Sequence, residues 1–164
     1  MKEARKYNIG PERLIFASVI DRMDEHLARY RCADLFLDTS PYNAHATAND
    51  ALWAGLPVIT YLGKTFQSRV AASLLSALDM PELVAENMVE YQNLAVELAI
   101  HPSSLLSIRA KLGRNRLTHP LFDTPLFVRH IEAAYLAMYE RCCSGLTTEH
   151  LYIGSNAKIG RLEI

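Results

Sequence analysis

The sequence predicts an α/β fold built on a small parallel sheet. Three continuous apolar runs, at residues 13–20, 33–39 and 56–63, are separated by segments with helical patterning. Runs that are apolar on both faces are typical of strands buried within a parallel sheet, and their alternation with helices indicates a doubly wound arrangement. Such sheets usually contain about four to six strands. We therefore expect further strands upstream, which would make this chain the C-terminal part of a larger fold.

Helical segments account for most of the remaining chain. Two short ones, "DEHLARYRC" and "NDALWAG", separate the apolar runs, and the second half holds longer ones with apolar residues at helical spacing. In the last of these, "TPLFVRHIEAAYLAMYERC", Thr124 is predicted to be the N-cap and Pro125 the first helical residue. We assign residues 1–145 to one folded unit and residues 146–164 to a tail that is predicted to be partly irregular.

The composition argues against several classes of function. The chain has 164 residues with 17 basic and 18 acidic side chains, so nothing indicates electrostatic binding of nucleic acid or of an anionic membrane. No apolar run is long enough to span a bilayer, and the N-terminus lacks the apolar core of a secretory signal. The three cysteines, Cys32, Cys142 and Cys143, form neither a disulfide framework nor a zinc-binding pattern. A cytoplasmic, reducing location is expected, and no metal site is predicted.

A polar stretch, "SPYNAHATAND" (residues 40–50), lies between two apolar parts of the chain. It follows a predicted strand and leads into a helix expected to begin near residues 45–47. Ligands bind at the carboxyl ends of the strands in open parallel sheets, and a helix N-terminus offers N–H groups without intrahelical partners. Small alanines would let a ligand approach the backbone, while His45 and Thr47 add side-chain donors. This combination suits a phosphate or diphosphate, and Asp50, one turn deeper, could accept hydrogen bonds from sugar hydroxyls.

A plainer interpretation of this stretch is open on the spacing alone. Asn43, Thr47 or Asn49 could simply cap the helix, and His45 could be an ordinary loop histidine. The chain contains neither a P-loop nor a G-x-G-x-x-G motif, which argues against an NAD-dependent oxidoreductase.

Several motifs together resemble one known family. The run "LDTSPYNAHAT", the segment "DALWAGLPVIT", then "SRVAASLL" and finally "HPLFDTPLFVRHIEAAYLAMYER" occur in the order and spacing found in the O-GlcNAc transferase/SPINDLY family of protein glycosyltransferases. The likeness extends from about residue 13 to residue 141. It places the chain in the C-terminal catalytic lobe, a partial Rossmann-like sheet of a GT-B glycosyltransferase followed by a helical segment.

The resemblance implies an activity and a set of partners. Members transfer a sugar, most often N-acetylglucosamine, from a UDP donor to Ser or Thr hydroxyls of acceptor proteins. The UDP-sugar is a substrate, so no cofactor is expected. The N-terminal catalytic domain and the tetratricopeptide repeats of typical members lie outside this sequence. We therefore expect this part alone to be inactive, and no residue in it is assigned as the general base.

The resemblance also implies positions for the donor. His45, Ala46 and Thr47 would surround the diphosphate, with His45 stabilising the leaving group, and Asp50 would bind the ribose. His26 and Arg29 would lie beside the nucleotide, with Arg29 against the base, and the backbone near Asp21 would contact the uracil edge. Two positions depart from the familiar animal enzymes, which have Lys where this chain has Met23 and Thr where it has Ala46.

One interpretation of a different kind remains beside the glycosyltransferase. Met23 and the absent first domain are compatible with a non-catalytic nucleotide-sugar-binding or scaffolding module.

The predicted first strand leaves an open sheet edge near residues 14–17, which favours self-association into a homo-oligomer.

Overall fold

The centre of the fold is a three-stranded parallel sheet in the order β1-β2-β3. The structure, a computed structural model, describes residues 2–154 and 159–160. Strand β1 spans Phe36–Leu37, β2 spans Val58–Tyr61 and β3 spans Val84–Ala85. Phe36 is in register with Val58, and Thr60 with Val84. The central strand β2 is therefore paired on both sides, as its apolar sequence predicts.

The described part of the chain contains seven α-helices. They are α1 (Lys2–Lys6), α2 (Met23–Ala28), α3 (Ala46–Ala54), α4 (Val70–Ala77), α5 (Met88–Ile100), α6 (Pro102–Thr118) and α7 (Thr124–Cys143). Helix α2 continues into a 3-10 turn at Arg29–Cys32. Helix α3 ends where Gly55 takes a left-handed conformation with φ of 87°, which a residue with a Cβ would resist.

The core lies where α3, α4 and α5 pack against β2. Leu52 of α3, Ile59 of β2 and Leu75 of α4 are each completely buried, and Leu98 of α5 and Leu112 of α6 close the same cluster. Each of these helices buries one apolar face, in keeping with the spacing in the sequence. Because α3 is fixed by Leu52 in the centre of the core, its N-terminus is held at a defined place at the edge of the sheet.

The predicted strand at residues 13–20 is wrong. A 3-10 turn occupies Pro11–Arg13, and residues 14–20 pair with no strand of the described sheets. Ile15 is 92% exposed, Phe16 77% and Val19 91%. A strand needs a hydrogen-bonded neighbour, and within residues 2–154 and 159–160 β1 pairs with β2 alone. The third strand is instead β3, whose two residues are too few to form a recognisable apolar run.

One detail near the C-terminus also differs from expectation. Asp123, rather than Thr124, is the N-cap of α7, and its Oδ1 accepts a hydrogen bond from the Leu126 N–H at 2.9 Å. In the tail, which the sequence predicts to be partly irregular, β4 (Tyr152–Ile153) and β5 (Ile159–Gly160) form an antiparallel pair that contacts α7. Residues 155–158 and 161–164 of the predicted tail lie outside the described residues. No described helix combines the length and apolar character needed to cross a membrane.

Exposed apolar side chains lead to a prediction about association in solution. Besides residues 14–20, helix α7 exposes Phe127, Tyr135 and Tyr139, each more than 60%. Exposed apolar side chains in this number favour self-association. We expect light scattering to give a mass above that of a monomer at micromolar concentrations. Replacing both Ile15 and Phe16 with serine should lower that mass, whereas a monomer mass for the unaltered chain would contradict the prediction.

Candidate functional site

The turn between β1 and α3 is built around the buried carboxylate of Asp38, which is 4% exposed. Its Oδ1 accepts hydrogen bonds from the backbone N–H groups of Thr39, at 2.9 Å, and Ala44, at 2.7 Å. Its Oδ2 accepts from Asn43 Nδ2 at 2.7 Å and from Thr60 Oγ1 at 2.6 Å. The carboxylate thus joins both ends of the turn to the central strand.

The same network reaches two further elements. Asn43 Nδ2 also lies 3.3 Å from the Tyr61 carbonyl oxygen, and the Tyr91 hydroxyl of α5 donates to the Asp38 carbonyl oxygen at 2.7 Å. Burial, and then the nearby charge of Asp38, raise the pKa of Tyr91. The hydroxyl therefore keeps its proton at neutral pH and remains a donor. Sequence reasoning did not single out this network, although the polar ends of the runs "LFLD" and "VIT" were its available signal.

The N-terminus of α3 presents N–H groups that no side chain of its cap satisfies. The helix begins at Ala46, as predicted, and its N-cap residue His45 makes no side-chain capping hydrogen bond. Asn43 does not cap it either, because its Nδ2 is directed to Asp38 and its Oδ1 has no partner. Ala46 and Thr47 are exposed. The first-turn N–H groups can therefore be reached by a ligand at the carboxyl end of β1.

The His45 ring is held by contacts on three sides. Its Nε2 lies 3.2 Å from the Gln67 carbonyl oxygen, and since a carbonyl only accepts, the ring proton is on Nε2. The ring stacks on Tyr42, with centroids 5.3 Å apart, and meets Phe66 edge to face at 6.2 Å. Nδ1 is left as the ring atom that could contact a ligand, and it can donate only when the ring carries both protons.

A cavity of about 350 Å³ joins the Asp38 turn to the start of α3. Its lining includes buried Asn43 and Asp38 together with exposed Thr47. Larger depressions lie elsewhere, of about 560 Å³ beside Trp53, about 700 Å³ along α4 and about 500 Å³ beside the C-terminal end of α7. Of these four cavities, lined by described residues, only the smallest borders the N-terminus of α3, so position rather than size identifies it as the candidate site.

A second polar cluster lies one turn further along α3. His26 of α2 and Asp50 of α3 form a pair with Nε2 and Oδ2 3.4 Å apart, and both side chains are mostly buried. The Tyr30 hydroxyl lies 3.5 Å from His26 Nε2 and 3.4 Å from the Thr47 carbonyl oxygen. Burial, and then the charge of Asp50, raise the pKa of Tyr30. The structure thus brings three predicted residues together and adds Tyr30, which the sequence reasoning missed.

The other predicted residues lie in the segments that flank α2. Arg29 Nη1 donates to the Ser18 carbonyl oxygen at 3.1 Å, which ties α2 to the extended segment before it. Asp21 is exposed in the connection to α2, and Met23, the first residue of α2, is 64% exposed. Among the described residues, no group of three or more His, Cys, Asp or Glu side chains is placed to hold a metal ion.

The loop that presents the Gln67 carbonyl to His45 depends on Gly63. A Cβ at this position would lie 2.3 Å from Ser68 Cβ, and Ser68 is buried and bonded to Thr65. We expect Gly63→Ala to lower the free energy of unfolding by about 1–3 kcal/mol, because neither side of the contact can yield freely. Urea unfolding measures this effect.

Gly113→Ala is the matched control for that measurement. It lies within α6, and a Cβ there meets nothing within 4 Å. Alanine favours a helix interior over glycine by about 1 kcal/mol, so this variant should be unchanged or more stable. Equal stability of the two alanine variants would show that the 63–68 loop is not packed as described.

The chain matches the profile of Glycosyl transferase family 41 over residues 1–131. It is 36% identical over 154 residues to a probable UDP-N-acetylglucosamine–peptide N-acetylglucosaminyltransferase, SEC, of Arabidopsis thaliana. That alignment covers 93% of this chain and 16% of the Arabidopsis protein. It is 37% identical over 151 residues to the UDP-N-acetylglucosamine–peptide N-acetylglucosaminyltransferase of Caenorhabditis elegans, covering 90% of this chain and 13% of the relative. The chain therefore spans only about a sixth or less of the length of these relatives.

A solved structure agrees with the sequence relatives. The K341M mutant of the Thermobaculum terrenum O-GlcNAc transferase superposes with a TM-score of 0.79 at 31% identity, covering 88% of this chain and 28% of that one. The partial parallel sheet with its following helices is thus the fold of one portion of a GT-B glycosyltransferase. By its motifs, its fold and its relatives, the chain belongs to glycosyl transferase family 41, the family of the O-GlcNAc transferases and SPINDLY proteins.

Proposed function

We propose that this chain forms the donor-binding part of a protein O-glycosyltransferase, taking UDP-N-acetylglucosamine as its donor and Ser or Thr hydroxyls as acceptors. The observation that carries the proposal is the uncapped N-terminus of α3 at the carboxyl end of β1, with Ala46 and Thr47 exposed. A diphosphate there would accept hydrogen bonds from the free N–H groups and lie in the positive field of the helix dipole. Ala46, lacking a hydroxyl, would contribute its backbone alone.

The nucleoside would extend from this turn toward the second polar cluster. Asp50 has acceptor oxygens for the ribose hydroxyls, and its pairing with His26 at 3.4 Å fixes its orientation. Arg29 borders the same region and could lie against the base, with the backbone near Asp21 at the uracil edge. This arrangement would place the sugar on the far side of the diphosphate, toward His45.

Catalysis would then consist of stabilising the leaving group. The acceptor hydroxyl oxygen forms a bond to the anomeric carbon as the bond from that carbon to the β-phosphate oxygen breaks, and the electron pair remains on the diphosphate. The free N–H groups, the Thr47 hydroxyl and a doubly protonated His45 would bind the charge that develops. The base that takes the hydroxyl proton would come from the other domain. No metal or cofactor is needed in this scheme.

One observation favours a second candidate, a non-catalytic nucleotide-sugar-binding module. Met23 stands at the first position of α2, where the resemblance implies a Lys that contacts the ribose, and its side chain is 64% exposed. A thioether cannot replace an ammonium group toward ribose hydroxyls. Such a module would bind the donor without transferring its sugar.

A reducing compartment such as the cytoplasm fits either candidate. Cys32, Cys142 and Cys143 are exposed and unpaired, as expected where thiols stay reduced.

Calorimetric titration of this chain with UDP, UDP-N-acetylglucosamine and NAD tests the proposal. We expect the two uridine nucleotides to bind and NAD to give no heat. Binding of NAD in preference to UDP would contradict both candidates. A sugar-transfer assay on the full-length protein then separates them, because only the enzyme forms a glycosylated acceptor.

A further inference from the structure

We propose that Asp38 is a positioning residue for the donor site, and that it sets the geometry of α3's N-terminal turn through Thr60. The proposal rests on the function proposed above and adds a residue that the donor does not touch. Asp38 makes four side-chain hydrogen bonds, two to backbone N–H groups of the turn and two to the side chains of Asn43 and Thr60. Oδ1 accepts from the two backbone N–H groups, and Oδ2 accepts from the two side chains.

Oδ1 closes the turn upon itself. It accepts from the N–H groups of Thr39 and Ala44, so the two ends of the segment that carries the polar residues are bound to one atom. Ala44 immediately precedes His45, the N-cap of α3. Any movement of this oxygen would therefore be transmitted within one residue to the start of the helix.

Oδ2 fixes the closed turn to the sheet. It accepts from Thr60 Oγ1 at 2.6 Å, and Thr60 is completely buried in the central strand β2. Asn43 Nδ2 lies 2.7 Å from the same oxygen and 3.0 Å from Thr60 Oγ1. A carboxylate suits this position because it is an acceptor at both oxygens, whereas the amide of an asparagine offers only one.

The network contains one feature that packing alone does not require. Asn43 is 2% exposed, yet its Oδ1 has no hydrogen-bond partner. A buried unpaired acceptor is costly, and an apolar side chain at this position would avoid that cost. Asn43 instead donates to Asp38 and lines the cavity at the start of α3. The four donors also compensate the carboxylate charge before an anionic ligand arrives.

A purely structural role for these residues makes different predictions, and Thr60→Val separates the two. Valine keeps the shape of the side chain and removes the hydroxyl donor. Thr60→Ser keeps the hydroxyl, so this variant should behave like the unaltered protein. Asn115→Leu is the control, since Asn115 is also buried and donates one hydrogen bond, to the Leu78 carbonyl oxygen at 2.7 Å, on elements that do not line the cavity.

Two measurements on the whole chain decide the matter. In the unliganded protein, Thr60→Val should shift the amide NMR signals of residues 39–47 and speed hydrogen exchange at Ala44, while Asn115→Leu should leave both unchanged. In calorimetry with UDP, Thr60→Val should weaken binding by about 5- to 20-fold at a stability no lower than that of the control.

The outcomes are distinguishable from failure of the proposed function. If the unaltered chain does not bind UDP, the donor-site assignment is wrong, but the NMR comparison still decides whether Asp38 positions the turn. If Thr60→Val leaves the signals of residues 39–47 and the Ala44 exchange rate unchanged, or if Asn115→Leu alters them equally, the positioning role is overturned. An unchanged UDP affinity in Thr60→Val would likewise overturn its role in the donor site.

Discussion

Replacing His45 with alanine in the full-length protein is expected to lower turnover by about 10²–10³-fold, the usual effect of removing one donor from a site where charge develops. The affinity for UDP should change much less, because the ring would act on the leaving group mainly in the transition state. The position of the ring between Tyr42 and the Gln67 carbonyl supports this role, since it is held before any ligand binds. Steady-state and binding measurements on the same preparation separate the two effects.

His101→Ala is the matched control for this experiment. His101 is the N-cap residue of α6 and, like His45, makes no side-chain capping hydrogen bond. It lies away from the candidate cavity, so its loss should leave turnover unchanged. Normal turnover in His45→Ala, with only a raised Michaelis constant, would mean that the ring binds the donor without assisting departure of the diphosphate.

Leu52→Ala is expected to have the largest effect on folding. Leu52 is completely buried, and it attaches α3 to the core, so its loss leaves a cavity beneath the helix that carries the candidate site. Such truncations cost about 2–5 kcal/mol, a large share of the stability of a domain of this size. Urea unfolding followed by circular dichroism measures the change.

The control is a leucine whose side chain contributes little to the core. Leu106 of α6 is 65% exposed, and Leu106→Ala should change the free energy of unfolding by no more than about 0.5 kcal/mol. Similar unfolding midpoints for the two variants would show that α3 is not anchored through Leu52.

The helices and the start of α3 were accessible from the sequence because their signals are local. The apolar spacing of "VAASLLSA" and "VEYQNLAVELAI" recurs at the helical period, and both segments are helical in the structure. The polar stretch after "LFLD" predicted a helix beginning near residues 45–47, and α3 begins at Ala46. Short-range patterns fix such features whatever the rest of the fold does.

A local pattern could not show that residues 13–20 form no strand. An apolar run indicates that a segment is suited to burial, but strand formation depends on a neighbour that the run itself does not specify. Ile15 and Val19 are exposed because no described strand pairs with this segment. Strand β3 was missed for the opposite reason. It has only two residues, too few for an apolar run, and it is a strand because it pairs with β2.

The interior of the candidate site depends on contacts between distant parts of the chain. Asp38 meets Thr60 from 22 positions away, and Tyr91 reaches the Asp38 carbonyl from 53 positions away. No spacing rule joins such residues before the fold is known. His45 and Thr47 could be predicted because they lie on one short turn, whereas Tyr30 and Gln67 act through the packing of the 3-10 turn after α2 and of the 63–68 loop.

A crystal structure of this chain with UDP would locate the diphosphate. We expect it to lie within hydrogen-bond distance of the backbone N–H groups of residues 46–47, with the ribose beside Asp50. A diphosphate bound instead beside Lys64 and Arg69, in the larger depression along α4, or beside Arg31 and Arg116 in the depression next to Trp53, would contradict this expectation.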